Sequence, residues 1–489
     1  MQLTLPGFSS TSAKNTFAAP AAYRGLYAFH KYWGKKPAEP ISYLIQKLCP
    51  ENGLVVDPFL GSGVAALEAV RLKRKFIGID INPVAVRIAR LLILPPSARS
   101  LHEALSHVEM LAKEKILKSY VTSQRTPATH YVWRNEVMEK VWLTNGNSRK
   151  RIELPPEEED ISLAEQFASY QPQRLRAPRF FTNSRINSSA ALTFKDLFTG
   201  RALRNIELLL AAIDNLPAAM QEAMMLSLTA AVGQMSKMVF AITGRGKTSG
   251  SASDRMEVGS WVIGYWRPEQ HFEINVWACF ERRVQKLIKA VSALETTRYD
   301  ITSGECSSVC ADSADCALLN GDTLRYLPDL PDKSINLIIT DPPHGDRIPY
   351  LELSEIWNVI LDEKPLFESE IVISNAKERA KKIADYNQDM SRFLDIASQK
   401  LSDSGCLVLF FNARTKTGWN FLKNFSDNAA GMEYRGCFPL VYSAGSVVQD
   451  NRAKALRTDY GLVFSRSMTV LPLLTDIPGW MSNLPAPKE

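Results

Sequence analysis

The chain has 489 residues, with Lys+Arg 58 against Asp+Glu 52 and a formal net charge of +6, a length that suits about three domains or one elaborated domain. Hydrophobic residues are 45% and charged residues 22%, which excludes a disordered, collagen-like or disulfide-scaffold protein. Apolar runs fall short of the about 18 residues of a membrane span, and seven cysteines, an odd number, fit a cytoplasmic protein better than a disulfide framework.

Residues 1–24 are rich in Ser, Ala and Thr and read as a loose arm, without the basic-then-apolar pattern of a secretory signal. Leu54-Val55-Val56 follows an Asn-Gly turn and reads as a buried strand, and Val64 to Leu72 as a helix. Phe76 to Ile79 is a second strand ending at Asp80, and Asn82-Pro83 opens a helix over Val84 to Leu91. Strand and helix alternate here as in a parallel α/β sheet.

From about residue 96 to 299 the pattern changes. A helix is expected over His102 to Lys118. Strand-like sequence follows over Tyr131 to Ile152, with a turn at Asn145-Gly146. Pro155 to Asp160 reads as an acidic loop, and Phe194 to Phe240 as helical. Thr243 to Ser253 reads as a Gly/Ser-rich loop, and helix resumes over Glu273 to Leu294. The α/β pattern returns from Ala317, with strands at Ile335 to Thr340, Cys406 to Phe411 and Tyr460 to Ser465 and a helix at Met390 to Leu401. The expected architecture is one α/β domain, residues 25–95 and 300–470, split by a mixed α+β insertion at 96–299, with a tail at 471–489.

Asp57-Pro58-Phe59-Leu60-Gly61-Ser62-Gly63 leaves a strand and enters a helix. The glycines let the backbone turn tightly and approach a ligand. Asp80, at the end of the next strand, stands where a carboxylate accepts ribose hydroxyls. An aspartate at the start of the turn suits a cation better than a pyrophosphate. S-adenosylmethionine carries an ammonium, a sulfonium and a ribose and no phosphate, so the charges favour it as cofactor.

DPFLGSG followed by FIGIDINP, preceded by His30-Lys31-Tyr32-Trp33-Gly34-Lys35-Lys36-Pro37, resembles the cofactor segment of the amino-group DNA methyltransferases, the N6-adenine/N4-cytosine class. The resemblance implies a Rossmann-like class I methyltransferase fold with helices on both faces of a mostly parallel sheet. It implies that Asp57 faces the cofactor's amino group, Asp80 its ribose, and Lys31 to Pro37 its methionine end. Lys31, Tyr32, Trp33, Pro58, Phe59, Gly61, Ser62, Gly63, Ile81 and Asp322 complete the expected cofactor set.

The stretch from Gly321-Asp322 to Thr340-Asp341-Pro342-Pro343-His344 resembles the catalytic half of the same family. An exocyclic amine on a base is a poor nucleophile because its lone pair is conjugated with the ring. Asp341 can accept one N–H and a carbonyl of the Pro342-Pro343 turn the other, which frees the lone pair. The prolines preorganise the turn, and a base inside a duplex must be flipped out to be reached. The family usually has Tyr, Phe or Trp where this chain has His344. Three readings stay open: His344 stacks on the base, Tyr350 or Trp357 does so, or the site is weakened or suits another substrate. Asp at position 341 leans toward adenine N6, with cytosine N4 the alternative.

Arg149, Lys150, Arg151, Arg174, Arg176, Arg179, Arg185, Arg245 and Lys247 are the expected phosphate contacts, and the insertion the target-recognition region. No metal is expected, because Cys306, Cys310 and Cys316 lack ordinary zinc spacing. The leading expectation is a bacterial or phage DNA methyltransferase of a restriction-modification or defence system, with DNA and protein members of that system as partners. Two other readings fit the same residues: a catalytically weak DNA-binding module of a defence assembly, and an RNA methyltransferase.

Overall fold

Helix α1 (Ala38–Leu48) buries an Ile41, Leu44, Ile45 stripe and leads into the sheet. Strand β1 (Leu54–Asp57), helix α2 (Val64–Arg71), strand β2 (Lys75–Asp80) and helix α3 (Pro83–Ile93) follow in alternation. Pro83 opens α3, where its missing N–H costs nothing. The structure is a computed structural model, and it describes residues 23–144, 150–242, 247–248, 251–252, 256–294, 301–413, 416–422, 425, 431–441 and 458–467. The expected arm up to residue 22, the Asn145-Gly146 turn, Arg149, Arg245 and the tail from 471 lie outside these residues.

The inserted region opens with α4 (Ala98–Val108), a π-helical turn at Glu109–Lys113 and α5 (Glu114–Lys118). Strands β3 (His130–Arg134), β4 (Val137–Thr144) and β5 (Arg151–Leu154) lead to α6 (Glu158–Glu165). The acidic run expected as a loop therefore enters a helix. The Asp160 carboxylate accepts from the Glu157 backbone N–H at 2.9 Å, and acidic side chains suit a helix N-terminus. The long helical stretch is two helices, α7 (Gly200–Ile213) and α8 (Ala218–Val232), broken at Leu216-Pro217. Short strands β6 (Ala241–Ile242), β7 (Lys247–Thr248), β8 (Ser251–Ala252) and β9 (Glu257–Val258) precede β10 (Gln270–Ile274) and α9 (Val276–Ser292). Strand β10 occupies the start of the segment expected to be helical. It pairs with β3, closing a four-stranded antiparallel sheet in the order β10-β3-β4-β5.

The chain then returns to the main sheet through α10 (Cys306–Cys310), β11 (Cys316–Asn320), α11 (Thr323–Tyr326), β12 (Ile335–Thr340) and α12 (Tyr350–Ile360). It ends through α13 (Ile383–Lys400), β13 (Leu401–Phe411), β14 (Glu433–Val441) and β15 (Thr458–Ser465). Sequence reading gave no element for β14, whose Glu-Tyr-Arg-Gly-Cys-Phe-Pro run breaks strand alternation. The sheet has seven strands in the order β11-β2-β1-β12-β13-β15-β14. The first five are mutually parallel, and β15 runs antiparallel between β13 and β14.

Alternate strand residues fill two cores, which is why these strands read as near-continuous apolar runs. Val55, Phe76, Leu337 and Val408 face one core, and Val56, Ile77, Ile338 and Leu407 face the other, under α13. The first core continues without a break into the insertion, through Leu101, Tyr131, Trp142, Leu203, Leu228 and Leu287. Helix α8 packs on α3, α4, α7, α9 and α12, so its apolar residues run around the helix rather than along one stripe. The elements between α3 and β11 thus share a core with the sheet.

Inside the insertion, Arg201 and Glu273 form a buried bidentate pair at 2.7 and 2.8 Å. Each is 1% exposed. The guanidinium lies over the rings of Tyr120 and Tyr131 at 4.9 and 4.2 Å. Thr199 Oγ1 and Trp133 Nε1 also donate to Glu273. Replacing Arg201 by Met leaves a buried carboxylate without its counterion, and denaturant unfolding is expected to show a loss of about 3–5 kcal/mol. The same change at Arg179, whose pair with Glu368 is mostly exposed, is expected to cost under about 1 kcal/mol. Equal losses would contradict this assignment.

Candidate active site

Strands β1 and β12 are adjacent and parallel, with Val55 opposite Leu337 and Val56 opposite Ile338. Sheet order reverses between them: the chain proceeds from β1 to β2 on one side and arrives at β12 on the other. A crevice forms outside the carboxyl ends of strands at such a reversal. Asp57 ends β1 and Asp341 follows β12, so the two motifs meet although 283 positions separate Asp57 from Thr340, whose Oγ1 donates to the Asp57 carboxylate at 2.6 Å.

The turn after β1 bends as the sequence requires. Gly61 and Gly63 have φ of +54° and +78°, where a side chain is strained. A Cβ on Gly63 would lie 2.5 Å from the Ala89 Cβ of α3, so this glycine also sets the approach of α2 to α3. The Asp80 carboxylate bridges this turn and the next: it accepts from Gly61 N at 2.6 Å and from Asn82 N at 2.8 Å. Asn82 Nδ2 in turn donates to Ser354 Oγ of α12 at 2.8 Å.

A cleft opens over these strand ends. Of the expected cofactor residues, Tyr32, Trp33, Asp57, Phe59, Gly61 and Ser62 line it, as do Asp80, Ile81 and Asp322. Asp341, Pro343 and Tyr350 line it from the other half. Pro58, Gly63 and Pro342 belong to the same turns but are not among its lining residues. Lys36, Thr340, Glu370 and Phe410 also line it. Lys36 lies in the Lys31–Pro37 segment expected at the methionine end and Thr340 within the Asp-Pro-Pro stretch, but Glu370 lies in an irregular segment after α12 and carries no motif.

Carboxylates dominate the cleft. Burial pushes Asp57 up to about 7, against the opposing hydrogen bonds from Thr340 and the Phe59 backbone N–H. Burial likewise raises Asp80 to about 6, against the bonds from Asn82 N and Gly61 N. Glu370, 2% exposed, is also raised by burial, opposed by Arg379. The ammonium of Lys36 reaches this group and pairs with Asp341 Oδ2.

Other expected site residues sit elsewhere. The Lys31 amine is held by the backbone carbonyls of Trp261 and Val262, over the Trp261 ring, and burial lowers it to about 7. It braces the Trp261–Val262 segment, whereas Lys35 and Lys36 of the same run line the cleft. Trp357 is 1% exposed and stacked on Trp33, with centroids 4.8 Å apart, so no base can reach it. Tyr350 stands over Tyr32 at 5.8 Å with planes 22° apart, at the cleft wall. His344 is turned away from the cleft: its ring meets Phe411 edge-on, and its Nε2 lies 3.0 Å from Asp341 Oδ1.

The expected phosphate contacts are mostly engaged within the chain. Arg174 pairs with Asp214, Arg176 with Glu355 at 2.7 Å, and Arg179 with Glu368 at 3.0 Å. Arg185 donates to the Arg347 backbone carbonyl at 2.8 Å, and Arg151 to that of Met256 at 2.8 Å. A guanidinium with a carboxylate or carbonyl in reach forms charge-assisted bonds in place of hydration. Arg176 and Arg185 therefore fasten the insertion to α12 and the loop before it. Lys150 is exposed, and Lys247 belongs to β7, its side chain outside the described residues.

Residues 6–91 match the family described as DNA methylase, of the N6/N4 methyltransferases. Over 64 residues the chain is 39% identical to the type II methyltransferase M2.LlaDCHI of Lactococcus lactis subsp. cremoris, a match covering 12% of this chain and 24% of that protein. It is 39% identical over 64 residues, with the same coverage, to the type II methyltransferase M2.DpnII of Streptococcus pneumoniae. It is 28% identical over 90 residues to the type II methyltransferase M.MjaII of Methanocaldococcus jannaschii, covering 18% of this chain and 17% of that protein. The chain thus spans about a quarter, or less, of the length of these relatives. By these matches, residues 6–91 are similar to the amino-group DNA methyltransferases.

Proposed function

We propose that this chain transfers a methyl group from S-adenosylmethionine to an exocyclic amino nitrogen of a base in DNA, adenine N6 before cytosine N4. The observation that carries the reading is the meeting of Asp57 and Asp341 in one cleft at the reversal point of a parallel sheet.

The cleft suits this cofactor by charge. Asp57, Asp80 and Glu370 are buried carboxylates with raised pKa values, and a ligand bearing ammonium and sulfonium charges relieves their mutual repulsion. Asp57 would hold the amino group, Asp80 the ribose, and Tyr32 and Trp33 the methionine end. When bound, S-adenosylmethionine supplies an electrophilic methyl group.

The remaining work falls to the chain. Asp341 accepts one N–H of the target amine. The second acceptor is assigned to the Pro342 carbonyl, because the Pro343 carbonyl already accepts from Tyr386 Oη at 2.6 Å and Gly345 N at 3.0 Å. Tyr350 supplies the flat face against which the flipped base rests. The inserted region, residues 96–299, recognises the target, with exposed Lys150 and Arg179 toward phosphate. A restriction-modification setting accords with the relatives' names as type II methyltransferases, and a phage-defence setting belongs to the same proposal.

Replacing Asp341 by Ala is expected to lower methyl transfer about 10²–10³-fold, as loss of one preorganised polar partner does elsewhere. Undiminished transfer by that variant would overturn the mechanism. Expression in a methylation-free host, followed by long-read modification calling, is expected to show N6-methyladenine at a fixed sequence. Marks on RNA alone would redirect the reading to RNA.

The carboxylates also set a pH dependence. Their folded pKa values, about 7 and about 6, exceed the unfolded aspartate value of about 3.9. The folded chain therefore holds more protons than the unfolded one between these values. Their contribution to stability is present below about pH 4 and is lost as pH rises through about 6 and 7. A cationic ligand requires them ionised, so affinity for S-adenosylmethionine is expected to rise between pH 5.5 and 7.5 (about the span of the two groups) and then level off. Calorimetric titration of Asp57→Asn should show a weaker pH dependence, and an unchanged profile would count against Asp57 as the amine's partner.

A further inference from the structure

The imidazole of His344 touches three groups whose donor and acceptor roles are known. On one side, Arg347 Nη1 lies 2.7 Å from His344 Nδ1. A guanidinium has only donors, so Nδ1 must accept and carries no proton. On the other side, Nε2 lies 3.0 Å from the backbone carbonyl of Phe410. A carbonyl oxygen only accepts, so Nε2 must carry the proton. The same Nε2 lies 3.0 Å from Asp341 Oδ1. Both ends of the ring therefore demand one species, the neutral imidazole protonated at Nε2.

This chain is closed in by the fold. His344 is 6% exposed in its side chain, and its ring meets Phe411 edge-on with centroids 5.1 Å apart. Phe410 and Phe411 belong to β13, the strand next to β12, so the ring is wedged between the turn after β12 and the neighbouring strand. The other oxygen of Asp341 is paired with Lys36. Two donors from opposite sides thus fix the rotation of the Asp341 carboxylate. A carboxylate has about four acceptor positions, so lone pairs remain for a further donor presented from the cleft.

We propose that His344, in the Nε2–H form set by Arg347 on one side and the Phe410 carbonyl on the other, is a positioning residue that orients the Asp341 carboxylate through an Arg347–His344–Asp341 hydrogen-bond chain, and does not stack on the substrate base. The inference deepens the methyltransferase reading and rests on it for the substrate of Asp341. It accounts for the histidine at the position after Asp-Pro-Pro. A phenylalanine ring there can stack but cannot donate to a carboxylate, and His344 can. With the imidazole turned inward, Tyr350 is the aromatic side chain at the cleft wall.

The test uses the full chain with 15N-labelled histidine and the variants His344→Phe, His344→Gln and Arg347→Met. In the unliganded wild type, two-dimensional 15N–1H spectra are expected to show the His344 ring protonated at Nε2 and bare at Nδ1. In Arg347→Met the Phe410 carbonyl and Asp341 still hold the proton at Nε2, so the tautomer should persist while the Nδ1 resonance moves downfield because that nitrogen loses its donor. A ring protonated at Nδ1, or an Nδ1 resonance unmoved by Arg347→Met, overturns the proposal. In methyl-transfer kinetics, His344→Phe is expected to lower kcat by about 10- to 100-fold, the scale of a misplaced catalytic group. KM for DNA and the Kd for S-adenosylmethionine should stay within about threefold of wild type, a change of under 1 kcal/mol. His344→Gln, whose amide N–H can reach Asp341, should recover part of kcat. The opposite pattern, with Phe active and Gln impaired through KM for DNA, identifies His344 as a stacking residue and overturns the proposal. Should the wild type methylate no nucleic acid, the methyltransferase reading fails, while the NMR arm still decides the hydrogen-bond chain.

Discussion

The parallel pairing of β1 with β12 is the constraint on which the rest of the site depends. These strands are far apart in the chain but share hydrogen bonds at the centre of the sheet. Their apolar residues are buried on both faces, so the register cannot slip without exposing one core or the other. Because the chain leaves β1 toward β2 on one side and leaves β12 toward β13 on the other, the loops after the two strands diverge and leave a crevice. Asp57 and Asp341 reach it from opposite sides. Neither motif is a site without the other.

The crevice concentrates negative charge in a buried place. Asp57 and Asp80 are each under a tenth exposed, and their hydrogen bonds are local ones to backbone N–H groups and Thr340. Such bonds reduce the cost of burial without cancelling it, as the raised pKa values show. Lys36 is paired with Asp341, not with either of them. A site of this kind is poised to gain from a cation, and its electrostatics distinguish it from a phosphate-binding turn on a similar strand–turn–helix unit.

The insertion is bound into this arrangement. It shares the core on one face of the sheet, and α8 is surrounded by helices of both parts. Polar ties reinforce the junction. Arg176 meets Glu355, Asn183 Nδ2 donates to Glu352 at 2.7 Å, and Tyr265 Oη donates to the Glu352 carbonyl at 2.6 Å. All three reach α12, the helix that begins at Tyr350. An element that positions one wall of the cleft is thereby held from the insertion side, which couples the segment proposed to read the target to the segment proposed to hold the base.

Local sequence determined the strands at Leu54, Phe76, Ile335 and Cys406, since a buried parallel strand must be apolar on both faces. It also determined the glycine turn after Asp57, because only glycine takes positive φ freely. The Asp-Pro-Pro turn was legible for the same reason: its residue types have few other uses at a strand end. Tertiary structure decided what periodicity could not carry. It placed Lys36 at Asp341 and Lys31 at the Trp261–Val262 carbonyls, although both lie in one short basic run. It recruited Glu370 from a segment with no motif. It engaged Arg151, Arg174, Arg176 and Arg185 within the fold, where composition alone suggested a surface for phosphate. It turned His344 toward Asp341 and Phe411, where the local sequence left its role open. A charged or polar side chain is directed by whichever partner folding brings within hydrogen-bond reach. That partner is often hundreds of residues away and leaves no mark on the local sequence.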